Sequence, residues 1–480
     1  MATSRGGTMS LLALLIAGCF AEGKVISIED FGAVADEEAA SASNAAAFNR
    51  ALATAGSGDT VVVPAGKRYW VLGGVLGSGL FNVTVRLDGV LMAAADYEHW
   101  PRTHKGKHYA DFFSIVNSRH VTVTSAGSGL LDGQGVGWWN KEVLPAVYGK
   151  LKSKRPKLMS MDNCTDVLVE RLNMLNSPSF HMMLSDMARV EVRYIHINVD
   201  RRKQAELKQV KAALRNDTSR AAGDHSQAHL QPEDLNTDGI DPSGRDFWIH
   251  DCTIMNDDDS IAVKPCNPEG CVNSDCSRNI LVENMVMSGF GASIGSVPPH
   301  AAVACVQNVT FRNMTMPGTG KGVYIKSNPS CGLADGKPKR GLIADITYED
   351  IKIEKPLWWA VWIGPQQQHE PGAALGEKCA LDYPLGSCPT QGCVDFRNIT
   401  LRNIAVHEPK LSPGVILGNS TNPIQNLVFD NVRVIKPGYL PFKGKYKCEH
   451  VIGTVTGGSG PQPECFNDRP RDRPILNTYV

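Results

Sequence analysis

One phrase recurs along the chain: a polar or turn residue, an alternating apolar stretch, then Asn or Asp. It reads FNVTVRLDGVL, RHVTVTSAG, TDVLVERLNML, ARVEVRYIHI, RDFWIHDCTIM, RNILVENMVM, QNVTFRNMTM, ADITYEDIKI, FRNITLRNIAV and QNLVFDNVRV. The alternation has the period of a β-strand, with every second side chain turned inward. Spacing between phrases is irregular but often about thirty residues, which predicts a solenoid of strands. Helical repeats would need longer stretches of 3.6 period, and these are nearly absent. A parallel β-helix follows, with inward residues buried against the coils on either side and asparagines stacked at the turns. A β-propeller is the alternative, but its blades need four strands per repeat and the phrases are too sparse.

Two segments break the strand pattern. Ser43 to Gly56 (SNAAAFNRALATAG) predicts a short N-terminal helix that caps the open end of the solenoid. Asp200 to Arg220 predicts a basic helical insertion, within a departure from the repeat over about 200–232. The tail from 437 to 480 is rich in Pro and Gly and reads as an irregular closing segment, leaving 24–436 as the solenoid domain. Composition agrees: 46 glycines in 480 residues suit many strands and tight turns.

Charge is balanced, with 49 basic and 49 acidic residues, so neither nucleic acid nor an anionic membrane is expected as partner. The first residues, with Arg5, an apolar run from Met9 to Gly18, and small residues around Cys19-Phe20-Ala21, read as a signal peptide over 1–21. A membrane anchor is the alternative, but the run is short for a bilayer. A secreted, extracellular chain leaves twelve cysteines and makes disulfides expected. Cys379/Cys388 and Cys448/Cys465 are close pairs, whereas Cys164, Cys252 and Cys305 sit in strand-like runs and read as buried thiols. No zinc spacing is seen. Acceptor triplets for N-glycosylation occur at Asn82, Asn163, Asn216, Asn308, Asn313, Asn398 and Asn419. Most open a strand and read as structural asparagines; Asn216, in the polar insertion, is the best glycan candidate.

Candidate chemistry lies in DLNTDGIDPSGRDFWIHDCTIMNDDDSIAVKP, residues 234–265. A carboxylate among apolar residues is costly without a partner or a task. Asp238 precedes Asp258-Asp259 by about one coil, so the three acids are expected on adjacent rungs. Crowding raises at least one carboxyl pKa, giving one protonated acid and one ionised base, as glycoside hydrolysis requires. Asp258 and Asp259 both reach a cleft only if the strand bends there; Ile261 and Val263 then point inward and Lys264 outward. A solvated turn or a calcium site is the other reading of a triple-Asp run.

NTDGID (236–241) followed by NDDDSIAVK (256–264) resembles the signature of glycoside hydrolase family 28, the polygalacturonases and their relatives. DFGAVAD, VVVPAG (61–66), DGQGVGWW (132–139), RPKLM (155–159), LNSPSFH (175–181), GASIGSV (291–297) and YIKS (324–327) match its landmarks in order. The resemblance implies an all-β, single-stranded, right-handed parallel β-helix of the pectin-lyase-like type, and inverting hydrolysis without a covalent intermediate. It casts Asp258 as general acid and Asp238 and Asp259 as the acids that hold and activate water. Lys326 would bind a substrate carboxylate, and Asn236 would orient the acids.

Two landmarks differ. The family has Gly-His-Gly where this chain has Gly289-Phe290-Gly291, and Arg-Ile-Lys where it has Tyr324-Ile325-Lys326. Phe290 carries no proton and Tyr324 offers one neutral hydroxyl instead of a bidentate fork. The rhamnogalacturonan hydrolases of the family also lack this His and Arg, so a sugar without a carboxylate at one subsite is the alternative specificity. Among Trp358, Trp359 and Trp362, Trp359 is the candidate sugar platform. His181, His250, His225 and His229 read as structural or solvated. Lys264 joins the substrate-binding candidates; Lys264 or Lys326 would be the proton abstractor of a calcium-dependent lyase, a second reading. A non-catalytic carbohydrate-binding β-helix is the third. A pectin-like polysaccharide is the expected partner of a monomer, with no cofactor or metal.

Overall fold

The computed structural model describes residues 23–467, apart from 104–105, 144–149, 201–235, 267–270, 274, 298–303, 328–332, 335–336, 339, 367–382, 385–387, 389 and 391. Its strands pair in parallel from Val25–Ser27 to Val451–Thr456 and wind as a right-handed β-helix with three faces. One face is built from strands such as Phe81–Leu87, Arg119–Thr124 and Thr165–Glu170. The next holds Val90–Ala93, Leu130–Asp132, Asn173–Leu175 and His196–Asn198. The third, the site face, holds Phe113–Val116, Met159–Asp162, Ile261–Val263, Ala292–Val297 and Val323–Ser327.

Register explains the alternation. Val83, Val121, Val167, Val190, Phe247, Ile280, Val309, Ile346, Ile399 and Leu427 stack in one buried column, one residue per coil. Each shields its neighbours from water, so the core is continuous along the axis and no coil is stable alone.

The polar ends of the phrase are the corners. Asn82, Asp246, Asn279, Asn308, Asp345, Asn398 and Asn426 all have φ between 52° and 62°, as do Asn284, Asn313, Asp350, Asn403 and Asn431 five residues further on. Asn and Asp tolerate this left-handed conformation better than other residues with a Cβ. The corners also bond to one another: Asn398 Nδ2 donates to Asp345 Oδ1 (2.9 Å) and Asn426 Nδ2 to Asn398 Oδ1 (3.0 Å). The expected asparagine stacks are therefore present, and Asn82, Asn163, Asn308, Asn313 and Asn398 are structural corner residues.

Helix α1 (Ser41–Thr54) caps the first coil. Its Phe48 is fully buried and stacks on Phe113 at 5.8 Å. Asn49 accepts from Leu76 N–H (2.7 Å) and donates to Gly74 C=O (3.1 Å), satisfying the edge of the first rung. The helix starts two residues earlier than the expected Ser43 and ends at Thr54, with Ala55 in extended conformation. Several expectations need correction. A second helix, α2 (Gly135–Val143), occupies the DGQGVGWW segment, which the strand period did not foretell. The coils continue past 436, through Lys447–Glu449 and Val451–Thr456, so the closing segment is not wholly irregular. Cys305 is not a free thiol but pairs with Cys276; Cys266–Cys271 and the expected Cys448–Cys465 are also disulfides. Cys164 and Cys252 are free and buried, as expected. Cys379, the segment 1–22 and the insertion 201–235 with Asn216, His225 and His229 lie outside the described residues.

Candidate active site

The three acids meet because neighbouring coils are in register. Ile240 pairs with Ile261, and Gly239 N–H donates to the Asp259 carbonyl at 2.8 Å, which sets Asp238 beside Asp259. Asp258 and Asp259 lie in the bend before Ile261–Val263, so both side chains turn to the same place. Carboxylate oxygens of Asp238, Asp258 and Asp259 lie within 4.8 Å of one another. Ile261 and Val263 are buried inward and Lys264 points out, as expected.

Asn256 holds this bend. Its Nδ2 donates to the carbonyls of Thr237 (3.0 Å), Asp258 (3.0 Å) and Asp259 (2.9 Å), and Ser260 Oγ donates to its Oδ1 (2.9 Å). The next coil passes close beneath: a Cβ on Gly289, at φ +60°, would stand 2.2 Å from the Asp258 carbonyl. Only glycine fits that approach.

Environment pushes the acids apart. Asp258 is half-buried and its carboxylate accepts from the backbone N–H of Asn236 (2.7 Å) and of Asp259 (2.8 Å). Burial and then the Asp259 charge nevertheless hold its pKa above the usual carboxylate range. Asp259 goes the other way. Burial would raise it, but Lys326 and Lys264 outweigh burial and keep it low. Lys326 Nζ donates to Asp259 Oδ2 at 2.7 Å and Ser293 Oγ to Oδ1 at 2.8 Å. Asp238 is raised well above its usual value, first by burial, then by Asp241 and Asp258. Lys264 Nζ faces Asp238 Oδ2 (3.5 Å), Asp241 Oδ2 (3.5 Å) and Asp259 Oδ2 (3.9 Å). Burial works against its charge, yet Asp241, Asp238 and Asp259 raise its pKa, so it stays an ammonium. The same three acids are close enough to hold a divalent cation, but Lys326 and Lys264 already stand at Asp259.

Asn236 takes part through its backbone N–H, at φ +63°. Phe290 and Tyr324 are fully buried, beside the acids rather than lining an open cleft. They share an apolar cluster with Trp359, Trp362, Val415 and Leu417. Trp359 is not the expected platform. It is 2 % exposed, stacked on Phe442 at 5.6 Å and packed against Tyr383 and Trp362. It lies just before the strand Val361–Gln366, and Tyr383 and Phe442 from later segments pack over it and bury it.

Sequence reading passed over several contributors. Asp241, the last residue of NTDGID, is fully buried, with its pKa raised to about 6 by burial and opposed by Lys264. His181 is fully buried one coil before Asp238; its backbone N–H donates to the Asp238 carbonyl (2.8 Å), and its Nδ1 lies 3.0 Å from the same oxygen. Burial lowers its pKa to about 4, so the ring is neutral. Lys321 is fully buried with Nζ 3.8 Å from the Tyr324 ring centre, 4.8 Å from Trp362 and 5.0 Å from Phe290. Asp241 and His181 both lie in quoted motifs, so position within a motif was the available signal. For Lys321 there was none, because its cage comes from three different coils.

The sequence profile of glycosyl hydrolases family 28 matches residues 54–456. A polygalacturonase from Chamaecyparis obtusa is 25% identical over 343 residues, which cover 69% of this chain and 55% of that protein. A probable endo-xylogalacturonan hydrolase A from Neosartorya fischeri is 26% identical, covering 64% of each. The chain thus spans about half to two thirds of these relatives. The solved polygalacturonase from Erwinia carotovora ssp. carotovora superposes with a TM-score of 0.58 at 18% identity, covering 95% of this chain and 99% of that one, a likeness of fold.

Proposed function

We propose that this chain, which belongs to glycosyl hydrolases family 28, is a secreted enzyme that hydrolyses α-glycosidic bonds in a pectin-like, uronate-containing polysaccharide. The single observation that carries the reading is the meeting of Asp238, Asp258 and Asp259 within 4.8 Å with Lys326 bonded to Asp259 at 2.7 Å, surroundings that raise the Asp258 carboxyl and lower that of Asp259. Such a pair supplies a proton donor and an ionised base at one pH.

Asp258, the partly exposed acid, gives its proton to the leaving glycosidic oxygen. Asp259, ionised, takes a proton from the attacking water, and Asp238 helps hold that water. Lys326 fixes the charge of Asp259 and presents a cation to a uronate carboxylate. Lys264 holds Asp238 and Asp241 in place. The names of the relatives, a polygalacturonase and a probable endo-xylogalacturonan hydrolase, support the substrate class. A lyase needs a neutral base, and three carboxylates keep Lys264 protonated. Buried Phe290 and Tyr324 leave no bidentate clamp at this point, which favours tolerance of an uncharged or substituted sugar at one subsite.

The test incubates wild type and Asp258→Asn with homogalacturonan, xylogalacturonan and rhamnogalacturonan backbone. New reducing ends without ultraviolet-absorbing products, lost in the variant, are expected. Unsaturated products that vanish with a chelator would replace this reading by a lyase. Stereochemistry is read on the first product by proton NMR. Carboxylates within 4.8 Å of one another are closer than the roughly 6.5–9.5 Å usual for inverting sites. Single displacement therefore rests on the family, and a retained anomer would overturn it.

A further inference from the structure

Away from the acids, a shallow groove of about 720 Å³ runs along the outside of the face that contains Phe81–Leu87. It crosses six strands paired in sequence, from Phe81–Leu87 to Ser277–Met287. At one strand spacing per step it is roughly 24 Å long, parallel to the solenoid axis. An extended polymer fits that shape better than a compact ligand.

Trp248 is the groove's main apolar surface. It is 44% exposed, an unusual exposure for the largest side chain. It is also immobilised. Nε1 donates to Glu283 Oε1 at 2.8 Å, and one ring face stacks on His250 at 3.9 Å with 22° between planes. The opposite face is left as a rigid, flat, apolar platform. Phe81, half exposed, stands at the other end of the groove beside His120. Along the groove are fixed hydrogen-bonding groups. Arg189 grips Asp166 through two bonds (2.6 and 2.8 Å), and Asn279 donates to Asp246 (2.9 Å).

The charges choose the ligand. The lining holds three carboxylates, Asp166, Glu191 and Asp246, against one arginine, Arg189, which Asp166 already grips; nearby, Arg245 is held by Asp246 (2.6 Å) and Arg193 by Glu191 (2.6 Å) and Glu170 (2.8 Å). A uronate would meet these three acids along the groove, with Arg119 set apart over the Phe81 ring at the far end (5.9 Å). A neutral sugar chain loses nothing there: its apolar ring faces stack on the indole and its hydroxyls bond the paired side chains.

We infer that this groove is a second glycan site, distinct from the acid cluster, which holds a neutral polysaccharide chain with Trp248 as its platform. Such a site on a rigid solenoid would keep the cleft at high local concentration near mixed wall polymers.

The test uses the full chain carrying Asp258→Asn, so that nothing is consumed. Xylopentaose, cellopentaose, galactopentaose, arabinopentaose and pentagalacturonate are titrated by calorimetry and tryptophan emission. At least one neutral pentasaccharide is expected to bind with an emission change, and Trp248→Ala to weaken it tenfold or more while leaving pentagalacturonate unaffected. Arg189→Ala, on the exposed rim, is the second variant, expected to weaken the same ligand several-fold. The site is overturned if no neutral pentasaccharide binds, if neither variant changes its binding, or if Trp248→Ala weakens pentagalacturonate instead. Binding needs no turnover, so reducing-end release by the wild type decides the hydrolase reading separately.

Discussion

Asp258 and Asp259 are adjacent in sequence, yet their surroundings treat them oppositely. Asp259 has Lys326 at 2.7 Å; Asp258 has two backbone N–H groups and a charged neighbour. The pH dependence of activity follows from the signs. Turnover requires Asp259 ionised and Asp258 protonated, so kcat/KM is expected to be bell-shaped. The acid limb lies below the usual carboxylate range and the alkaline limb above it. Asp258→Asn keeps the size of the side chain but removes its acid, and activity is expected to fall about 10²- to 10⁴-fold with an unchanged circular dichroism spectrum. Asp241 gives a stability counterpart. Its pKa is about 6 in the fold, against about 3.9 in an unfolded chain. The folded state therefore holds the extra proton between pH 4 and 6, and stability from this group is present below pH 4 and lost as pH rises through 6. His181, held at about 4 by burial, adds the opposite slope in this window, so the readout is the difference: denaturant unfolding from pH 4 to 7 should show Asp241→Asn gaining stability relative to the wild type as pH rises to 6, and parallel curves would mean that Asp241 does not titrate there. Asp238, Asp258 and Asp259 were legible because their spacing equals one coil, and Asn256 and Asp241 were not. Nothing in sequence separates a polar residue that bonds three carbonyls from one that faces water.

At the scale of the element, the repeated phrase is a strand between two left-handed corners, which is why it opens and closes on Asn or Asp. Asn398 shows what a corner contributes. It bonds a corner residue on each adjacent coil and sits at φ +53°. Asn398→Ala removes two exposed bonds, each about 0.5–1.5 kcal/mol, and places a Cβ residue where left-handed backbone costs about 1–2 kcal/mol. Asn398→Gly removes the same bonds without that strain. Alanine is expected to lower the thermal midpoint more than glycine; the reverse order would show that the bonds, not the backbone, set the cost. This part of the fold was readable because period and corner chemistry are both local. Trp359, Tyr324 and Phe290 were misjudged for the opposite reason. Alternation says which side chains face the coil interior, but what covers the outer surface is decided by distant segments, here by Tyr383 and Phe442. Cys305 was misread likewise: a strand position is compatible with a thiol or with a bridge to Cys276 one coil away.

For the whole molecule, a solenoid has two ends, and each exposes a strand edge and a slice of core unless something covers it. At the N-terminal end α1 does both. Phe48 and Leu52 close the apolar column, while Asn44 Nδ2 donates to the carbonyls of Val34 and Trp70 and Asn49 pairs with Leu76 and Gly74. The helix is thus a plug in chemistry as well as shape, supplying donors where the next coil would have been. Phe48→Asp would bury an unpaired carboxylate against Phe113, and the cheapest relief is for the helix to leave. The uncovered rung would then present free N–H and C=O groups beside Val75 and Phe113, a template for another chain. Two outcomes are expected together: concentration-dependent oligomers in size-exclusion chromatography, and early proteolysis within 41–54, while the acid cluster many coils away keeps its activity. Loss of activity in step with the helix would mean that the coils unfold as one unit. Retained activity in an associating protein would mean that stability is added coil by coil and that α1 guards solubility. The acids argue for the second outcome, because the bonds that position them come from their own coil, from one beside it or, for Lys326, from the next coil on, all far from α1.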